Sequence, residues 1–228
     1  MNPEQKYGIR ILYEDNHLII LNKGVSDIVQ GDKTGDISLD NKLRAFLKER
    51  DNKPGNVFVG IPHRLDRPVS GVIVYAKTSK ALSRMADLFR EKGIQKIYHA
   101  VVMAKPEPAS GTLTHYITRD PKKNKSFCHT TEKKDAKLAV LHYRWIASSD
   151  RYFMVEVELE TGRHHQIRAQ LAAIRCVIKG DLKYGAPRSN KNGGISLHAR
   201  SISFIHPVSK ENIFVEAPYP EGDIFEKF

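Results

Sequence analysis

The stretch GIPHRLDRPVSGVIVYAKT, residues 60–78, joins a charged loop to an apolar segment. The apolar run Gly71–Ala76 predicts a short buried strand. The loop before it places one carboxylate, Asp66, between Arg64 and Arg67. A neighbouring positive charge favours the ionised form of a carboxylate, so Asp66 is suited to carry a negative charge at neutral pH. An arginine–aspartate cluster is also common as a plain surface ion pair, and these residues alone leave both interpretations open.

Amphipathic segments surround this stretch and predict its structural context. Turn residues, apolar alternation and helical spacing locate them along the chain. In the first half of the chain, the predicted elements are a strand hairpin of Ile9–Tyr13 and His17–Asn22, a helix capped by Ser38 with Leu39, Leu43, Phe46 and Leu47 on one face, an apolar strand at Val57–Ile61, a helix from Ser79 to Gly93 and a strand containing Tyr98. In the second half, two antiparallel strands, Leu138–Ile146 and Tyr152–Leu159, precede a short helix with Ile167, Leu171 and Ile174 inward and Arg168 on another side. The final predicted strands are Ile195–Ile205 and Glu211–Glu216.

The polar, lysine-rich segment from Asp120 to Lys137 lacks any apolar period, which predicts a long exposed loop or an extended hairpin. Hairpins dominate the pattern, and the few helices do not alternate regularly with strands. We therefore predict an α+β fold with a mixed, mainly antiparallel sheet flanked by helices. No linker or repeat separates modules, so residues 1–228 are expected to form a single domain.

Charge is the strongest compositional signal. Lys and Arg exceed Asp and Glu by 11 in the 228 residues, which makes polyanions natural partners. Many cytosolic proteins are basic without binding nucleic acid, so charge alone leaves both possibilities open. No stretch approaches the roughly 18 apolar residues of a membrane span, Met1–Lys6 is polar, and Cys128 and Cys176 form no disulfide framework. We expect a cytoplasmic protein.

Neither a nucleotide nor a metal cofactor is expected. Gly31–Gly35 lacks the Gly-Lys-Ser/Thr ending of a phosphate-binding loop. No Cys or His cluster has ligand spacing. His164 and His165 are adjacent, but side chains at neighbouring helical positions diverge, which disfavours a shared metal ion.

The motif His63-Arg64-Leu65-Asp66, followed by Ser70-Gly71 and Ala76-Lys77-Thr78, resembles the catalytic motif of the RluA-type pseudouridine synthases, which modify ribosomal and transfer RNA. Further matching motifs follow in the same order and extend the resemblance from Leu12 to about Pro218. They are Tyr98, Leu159 to Arg168, Gly180-Asp181, Tyr184-Gly185, Leu197-His198-Ala199 and His206-Pro207.

This resemblance implies a fold and a set of roles. The fold is the pseudouridine synthase fold, an elongated mixed sheet with a central active-site cleft, in a form without the small RNA-binding domain that precedes many members. Asp66 matches the catalytic aspartate, Tyr98 the tyrosine that stacks on the target uracil, and Arg168 the arginine that pairs with the aspartate. Arg64 matches a position that helps displace the target base. The expected partner is a structured ribosomal or transfer RNA, bound by a monomer with no cofactor and no obligate protein partner, and the expected RNA-binding residues are Arg64, Arg163, Lys122, Lys123 and Lys125.

Three positions depart from the family pattern. Gly24 stands where Pro is usual, Val69 where Thr is usual, and His164 where Thr or Ser is usual. None of these changes removes a catalytic group. They bear on the substrate and subfamily, and not on the reaction.

Several alternatives stay open on the sequence. A non-catalytic basic RNA-binding module would explain the charge, and a hydrolase would use Asp66 with His63. Tyr98 also fits a half-buried strand tyrosine. In pseudouridine formation, Asp66 acts either as a covalent nucleophile or by assisting loss and recapture of the base. The lysines at 122, 123, 125, 133, 134 and 137 form either a phosphate-tracking arm or a solvated face.

Overall fold

The structure is a computed structural model that describes residues 3–31 and 35–228. The segments Met1–Lys6 and Gly31–Gly35, which bear on targeting and phosphate binding, lie partly outside the described residues. The described part of the chain forms α1 Pro3–Tyr7, β1 Ile11–Glu14, β2 Leu18–Lys23, α2 Leu39–Arg50, β3 Ser70–Ala76, α3 Ser79–Arg90, β4 Ile94–Val102, β5 Ser110–Asp120, β6 Lys125–His129, β7 Lys137–Ser148, β8 Phe153–Leu159, α4 Gln166–Ala173, β9 Leu197–Ile205 and β10 Asn212–Glu216, with short 3-10 helices at Leu182–Tyr184 and Ile224–Lys227.

These elements divide into two compact units. The first unit is Met1–Ile94 with Ala199–Pro218, and the second is Gln95–His198 with Tyr219–Phe228. Within the described ranges, no helix has both the length and the apolar character needed to cross a membrane.

The first unit is built on consecutive antiparallel strands. β1 pairs with β2 and β2 with β3, while β3 neighbours β9, which pairs with β10. The helix α3 lies against this sheet because its apolar side chains fall on one face, and Met85 is fully buried with Ile20 and Val74. Thr78 starts the helix by accepting a hydrogen bond from the Ala81 amide at 3.1 Å.

The second unit is an antiparallel sheet in the strand order β4-β8-β7-β5-β6. Tyr98 of β4 stands opposite Val157 of β8. A small apolar cluster of Val101, Met154 and Phe225 packs the C-terminal segment onto this sheet. The turn between β5 and β6 carries the lysines, and α4 follows β8.

The predicted class is confirmed, since the protein is α+β with mainly antiparallel strands. Most of the predicted helices and strands are present, with shifts of at most three residues at their ends. The strand predicted at Val57–Ile61 is wrong, because this segment forms only an isolated bridge from Gly60 to Ala76. Ser38 precedes α2 as predicted, but its hydroxyl bonds the Asp40 carboxylate and not a helix amide. Of the two forms predicted for residues 120–137, the structure shows a hairpin at its start, in which β6 pairs with β5.

Gly71 is the position at which β3 comes closest to its neighbour. Its φ is +112°, and a Cβ built there would lie 2.2 Å from the Ala199 carbonyl oxygen. Such a distance is far inside van der Waals contact, and the neighbouring group is backbone that cannot rotate away. The glycine of the Ser70-Gly71 motif therefore allows β9 to approach β3 directly after the Asp66 loop.

We expect Gly71→Ala to lower the free energy of unfolding by about 3 kcal/mol or more, because it combines a backbone clash with a strained φ. Gly55→Ala is the matched control, since a Cβ there meets nothing within 4 Å. Denaturant unfolding measures both. Equal stability of the two variants would contradict the close approach.

Candidate active site

The loop that carries Asp66 lies between Gly60 and β3 in the first unit. The Val69 amide donates a hydrogen bond of 3.0 Å to the Asp66 carbonyl, which closes a turn. Leu65 is buried, Asp66 is half-buried and Arg64 is exposed. The loop is thus anchored by its leucine, while the flanking charged side chains reach its surface.

A buried ammonium group lies beneath this loop. Lys23, at the end of β2, is 1% exposed, and its Nζ donates hydrogen bonds to three backbone carbonyls. These are the carbonyls of Gly24 at 2.9 Å, Arg67 at 3.0 Å and Val69 at 2.6 Å. An ammonium group has three hydrogens, and the number of acceptors equals the number of donors. Lys23 therefore ties the end of β2 to the turn that follows Asp66.

Burial lowers the pKa of Lys23 to about 8, because the charged form loses its hydration. The negative charges of Asp27 and Asp66 oppose this shift, and the positive charge of Arg67 adds to it. The ammonium and the Asp66 carboxylate are thus close enough to influence each other. Lys23 was not among the site residues predicted from the sequence.

The side chains beside Asp66 have identified partners. His63 accepts a hydrogen bond of 3.0 Å from the Val74 amide through Nε2 and stacks on Phe89, with 4.6 Å between ring centroids. A hydrolytic dyad would therefore have to use the other ring nitrogen of His63. Arg67 forms an exposed ion pair with Asp36 at 2.7 Å.

Arg168 lies on α4 in the second unit, and its side chain is 6% exposed. Its Nε donates to Asp181 Oδ2 at 2.7 Å, and its Nη2 donates to Asp181 Oδ1 at 2.9 Å. Two parallel hydrogen bonds between a guanidinium and a carboxylate hold both groups in one plane. Asp181, which is 1% exposed, is a partner that the sequence analysis missed, although the Gly180-Asp181 motif signalled the position.

Tyr184 connects α4 to the strand β6. Its hydroxyl accepts a hydrogen bond from the Ser126 amide at 2.9 Å and lies 3.1 Å from the Ser126 carbonyl and 3.0 Å from His165 Nδ1. Its ring lies near two cations, with Lys125 Nζ at 5.0 Å and Arg168 Cζ at 5.2 Å from the ring centroid. Such contacts are attractive because the faces of an aromatic ring are negative.

His165 is buried beside Tyr184, with a left-handed backbone conformation at φ +53°. Burial lowers its pKa to about 2, and the positive charge of Arg168 acts in the same direction. The imidazole is therefore neutral at pH 7 and adds no charge beside the guanidinium. Among residues 3–31 and 35–228, no three His, Cys, Asp or Glu side chains are grouped as ligands for a metal ion.

The remaining predicted residues of the second unit lie at its surface, except Tyr98, which is buried. Lys122 and Lys123 are exposed in the turn between β5 and β6, and Lys125 begins β6. Arg163 is exposed just before α4 and donates to the Leu138 carbonyl at 2.9 Å. Tyr98 is 9% exposed on β4, so little of its ring reaches solvent.

The structure thus places Arg64 and Asp66 on one loop of the first unit. Within the second unit it brings both Arg168 and Lys125 close to the ring of Tyr184. These residues belong to the α+β fold described above.

Residues 17–173 match the family described as RNA pseudouridylate synthase. An uncharacterised RNA pseudouridine synthase of Synechocystis sp. is 35% identical over 226 residues, which cover 98% of this chain and 68% of that protein. The ribosomal large subunit pseudouridine synthase D of Xanthomonas campestris is 32% identical over 233 residues, which cover 95% and 68%. The solved structure of human RNA pseudouridylate synthase domain containing 4 has a TM-score of 0.77 at 24% identity and covers 93% of this chain and 89% of that one.

The structural likeness defines the class of fold, which is that of the pseudouridine synthases. The family match and the level of identity go further: the chain belongs to the RNA pseudouridylate synthase family and is an isomerase that acts on RNA.

Lys23→Met should lower the free energy of unfolding by about 1–3 kcal/mol, because it removes a donor from three carbonyls. Lys48→Met, at an exposed position of α2, is the control and should change stability little.

The pH dependence of the free energy of unfolding gives a second readout of the buried Lys23. The pKa of Lys23 is about 8 in the folded protein and ordinarily 10.5, so the unfolded chain binds more protons between these values and stability from this group rises with pH. Denaturant titrations at pH 7.5 and pH 10 should show a smaller rise in the Met variant, and identical rises would contradict the burial of a charge.

Asp181→Asn should lower the free energy of unfolding by about 3–5 kcal/mol, because it leaves a buried guanidinium without its charged partner. The matched control is Asp87→Asn, which breaks an exposed ion pair with Arg90 at 2.6 Å. An exposed pair contributes about 0–1 kcal/mol. Thermal and denaturant melts compare the two, and a loss no larger than that of the control would show that the Arg168–Asp181 pair is not a structural anchor.

Proposed function

We propose that this RNA pseudouridine synthase converts uridine to pseudouridine in a structured RNA with Asp66 as its catalytic carboxylate. The observation that supports this assignment most strongly is the Asp66 loop itself. A half-buried carboxylate stands at the surface of a loop whose backbone is held by a buried ammonium group. Catalytic groups need such fixed positions, since small displacements cost large factors in rate.

The names of several relatives support a proposal for the substrate class. Proteins named ribosomal large subunit pseudouridine synthase D in three bacteria, Xanthomonas campestris, Zymomonas mobilis and Neisseria meningitidis, are 30–34% identical to this chain. We propose that the RNA is ribosomal. Transfer RNA is the alternative that the motif resemblance leaves open.

The reaction needs neither an oxidant nor an energy source. The bond from N1 of uracil to C1′ of the ribose breaks, the base turns, and a bond from C5 to C1′ forms. The hydrogen at C5 is lost as a proton and N1 gains one, so the product has the mass of the substrate. The Asp66 carboxylate stabilises the sugar centre during this exchange, either by a covalent bond to it or by its negative charge beside it. Water must be kept from this centre, because hydrolysis would release the base.

Tyr98 and Arg168 complete the proposed catalytic set. The Tyr98 ring supports the uracil by stacking, as aromatic side chains do through their faces. Arg168 serves the Asp66 carboxylate. Its guanidinium carries five N–H groups, which is more than the two that donate to the Asp181 carboxylate. In this proposal, residues 1–228 work as a single catalytic domain.

The exposed charges position the RNA. Lys122, Lys123, Lys125 and Arg163 contact phosphates, which orient the substrate without specifying its sequence. Arg64, exposed two residues before Asp66, assists in turning the target base out of its stack. Extrusion costs a few kcal/mol, and a planar guanidinium offsets this by stacking in the gap and donating hydrogen bonds.

The alternatives have less support. A non-catalytic RNA-binding module would explain the charge but not the fixed Asp66 loop. A hydrolase with an Asp66–His63 dyad is disfavoured because His63 Nε2 accepts the Val74 amide and the ring stacks on Phe89.

Asp66→Asn should abolish isomerisation, at least a 10³-fold loss of rate, while RNA affinity changes less than about threefold. The substitution keeps the size of the side chain and removes its charge and nucleophilicity. The substrate is ribosomal RNA transcribed without modification and carrying tritium at uridine C5, and tritium release measures turnover. Asp150→Asn, in the exposed turn between β7 and β8, is the control and should keep the wild-type rate. Substantial turnover by the Asp66 variant would rule out the proposed mechanism.

A further inference from the structure

The turn that carries the lysines is fastened to the segment before α4 by one histidine. We name this turn the basic turn and define it as residues Pro121–Lys125. His164 Nδ1 lies 2.8 Å from Ser126 Oγ, and His164 Nε2 lies 3.1 Å from Asn124 Oδ1. The Ser126 hydroxyl also donates to the His164 carbonyl at 2.7 Å. Both ends of the imidazole therefore contact the basic turn or the residue that follows it.

The two-ended contact depends on the shape of the imidazole. Its ring nitrogens point in different directions, so one side chain reaches two partners that lie apart. Thr or Ser, which the resembled motif has at this position, offers a single hydroxyl on a short side chain. Asn124 stands in the turn with φ +44°, so the Nε2 contact holds the turn itself and not only the strand β6.

Neighbouring contacts continue from the turn to the proposed catalytic arginine. The Tyr184 hydroxyl bonds the backbone of Ser126 on both its amide and its carbonyl side. Lys183 Nζ donates to the Asn124 carbonyl at 2.9 Å. The His164 ring stacks on His165, with 3.8 Å between centroids and 19° between planes, and Arg168 follows three residues later.

We propose that His164 is a positioning residue that holds the basic turn against α4. Phosphates bound by the lysines of the basic turn then keep a fixed position relative to Arg168. The proposal rests on the proposed RNA substrate and adds a role for the residue at which the chain departs from the family pattern. His164 acts through Asn124 and Ser126. Because the turn is already ordered before RNA binds, the conformational-entropy cost of RNA binding is smaller.

Loss of the His164 contacts should therefore weaken RNA binding without slowing the chemical step. Loss of the His164 contacts frees the turn before RNA binds, so the half-saturating RNA concentration in single-turnover reactions should rise about three- to tenfold. The rate at saturating RNA should change less than twofold, since bound RNA restores the register. A role in proton transfer would instead lower the saturated rate.

The experiment uses His164→Ala and His164→Thr, with His129→Ala as matched control. His129 lies on β6 and bonds Thr118 Oγ1 at 2.9 Å, so its loss weakens the hairpin without detaching it from α4. Melting temperatures check that each variant folds. The half-saturating RNA concentration should rise in both His164 variants and stay within twofold in His129→Ala. An equal rise in the control, or a fall in the saturated rate of the His164 variants, would overturn the proposal.

A double-mutant cycle tests whether His164 acts through Ser126. Ser126→Ala removes the buried hydroxyl that lies against Nδ1. If both residues belong to one contact, His164→Ala with Ser126→Ala should raise the half-saturating concentration no more than the larger single effect. If the fold-change in the double variant equals the product of the two single fold-changes, His164 and Ser126 act independently and the positioning contact is refuted.

Hydrogen–deuterium exchange separates this proposal from the proposed reaction, because it needs no RNA and no turnover. Amides in a peptide covering residues 119–127 should exchange at least threefold faster in His164→Ala than in the wild type, with little change in His129→Ala. Unchanged exchange would show that His164 does not hold the turn. Faster exchange in an enzyme that isomerises no RNA would leave the positioning contact standing and remove the reaction proposed above.

Discussion

A buried ammonium ion is the constraint on which the Asp66 loop depends. Lys23 sits at the end of β2 and donates to carbonyls on both sides of the turn after Asp66. A buried charge is costly unless it is fully hydrogen-bonded, and here three carbonyls supply that compensation. Gly71 then lets β9 approach the backbone of β3 just beyond the loop. The main chain around Asp66 is thus held by Lys23 and by the close approach of β9, and the Asp66 residue itself is half-buried.

The second unit uses a buried ion pair in the same way. Asp181 holds two N–H groups of Arg168 in one plane, and Tyr184 lies against the guanidinium while its hydroxyl binds β6. The neutral state of His165 matters here, because a cation at that position would repel the arginine. The lysine-bearing turn and the arginine of α4 are therefore parts of one packed arrangement.

The sequence predicted the class of fold and most elements, because amphipathic patterns reveal which faces are buried. Met85 of α3 and the alternating residues of β8 are examples. The run Val57–Ile61 was predicted as a strand because it is apolar, but it forms only an isolated bridge. An apolar run does not show whether its backbone will pair with a neighbouring strand. Lys23 and Asp181 were missed as supports because charged residues are usually exposed, and only the fold shows that these two are buried. The motif resemblance implied roles for Asp66, Tyr98 and Arg168, but it did not reveal which side chains they contact.

The central claim is that this chain makes pseudouridine in a structured RNA. Its most direct test compares RNA from cells with and without the protein, mapped by carbodiimide-dependent stops of reverse transcription. The account predicts that one or more stops in large-subunit ribosomal RNA disappear in the cells that lack the protein and return when the purified enzyme treats that RNA. Identical maps from both cells, or release of free uracil by the purified enzyme, would contradict it.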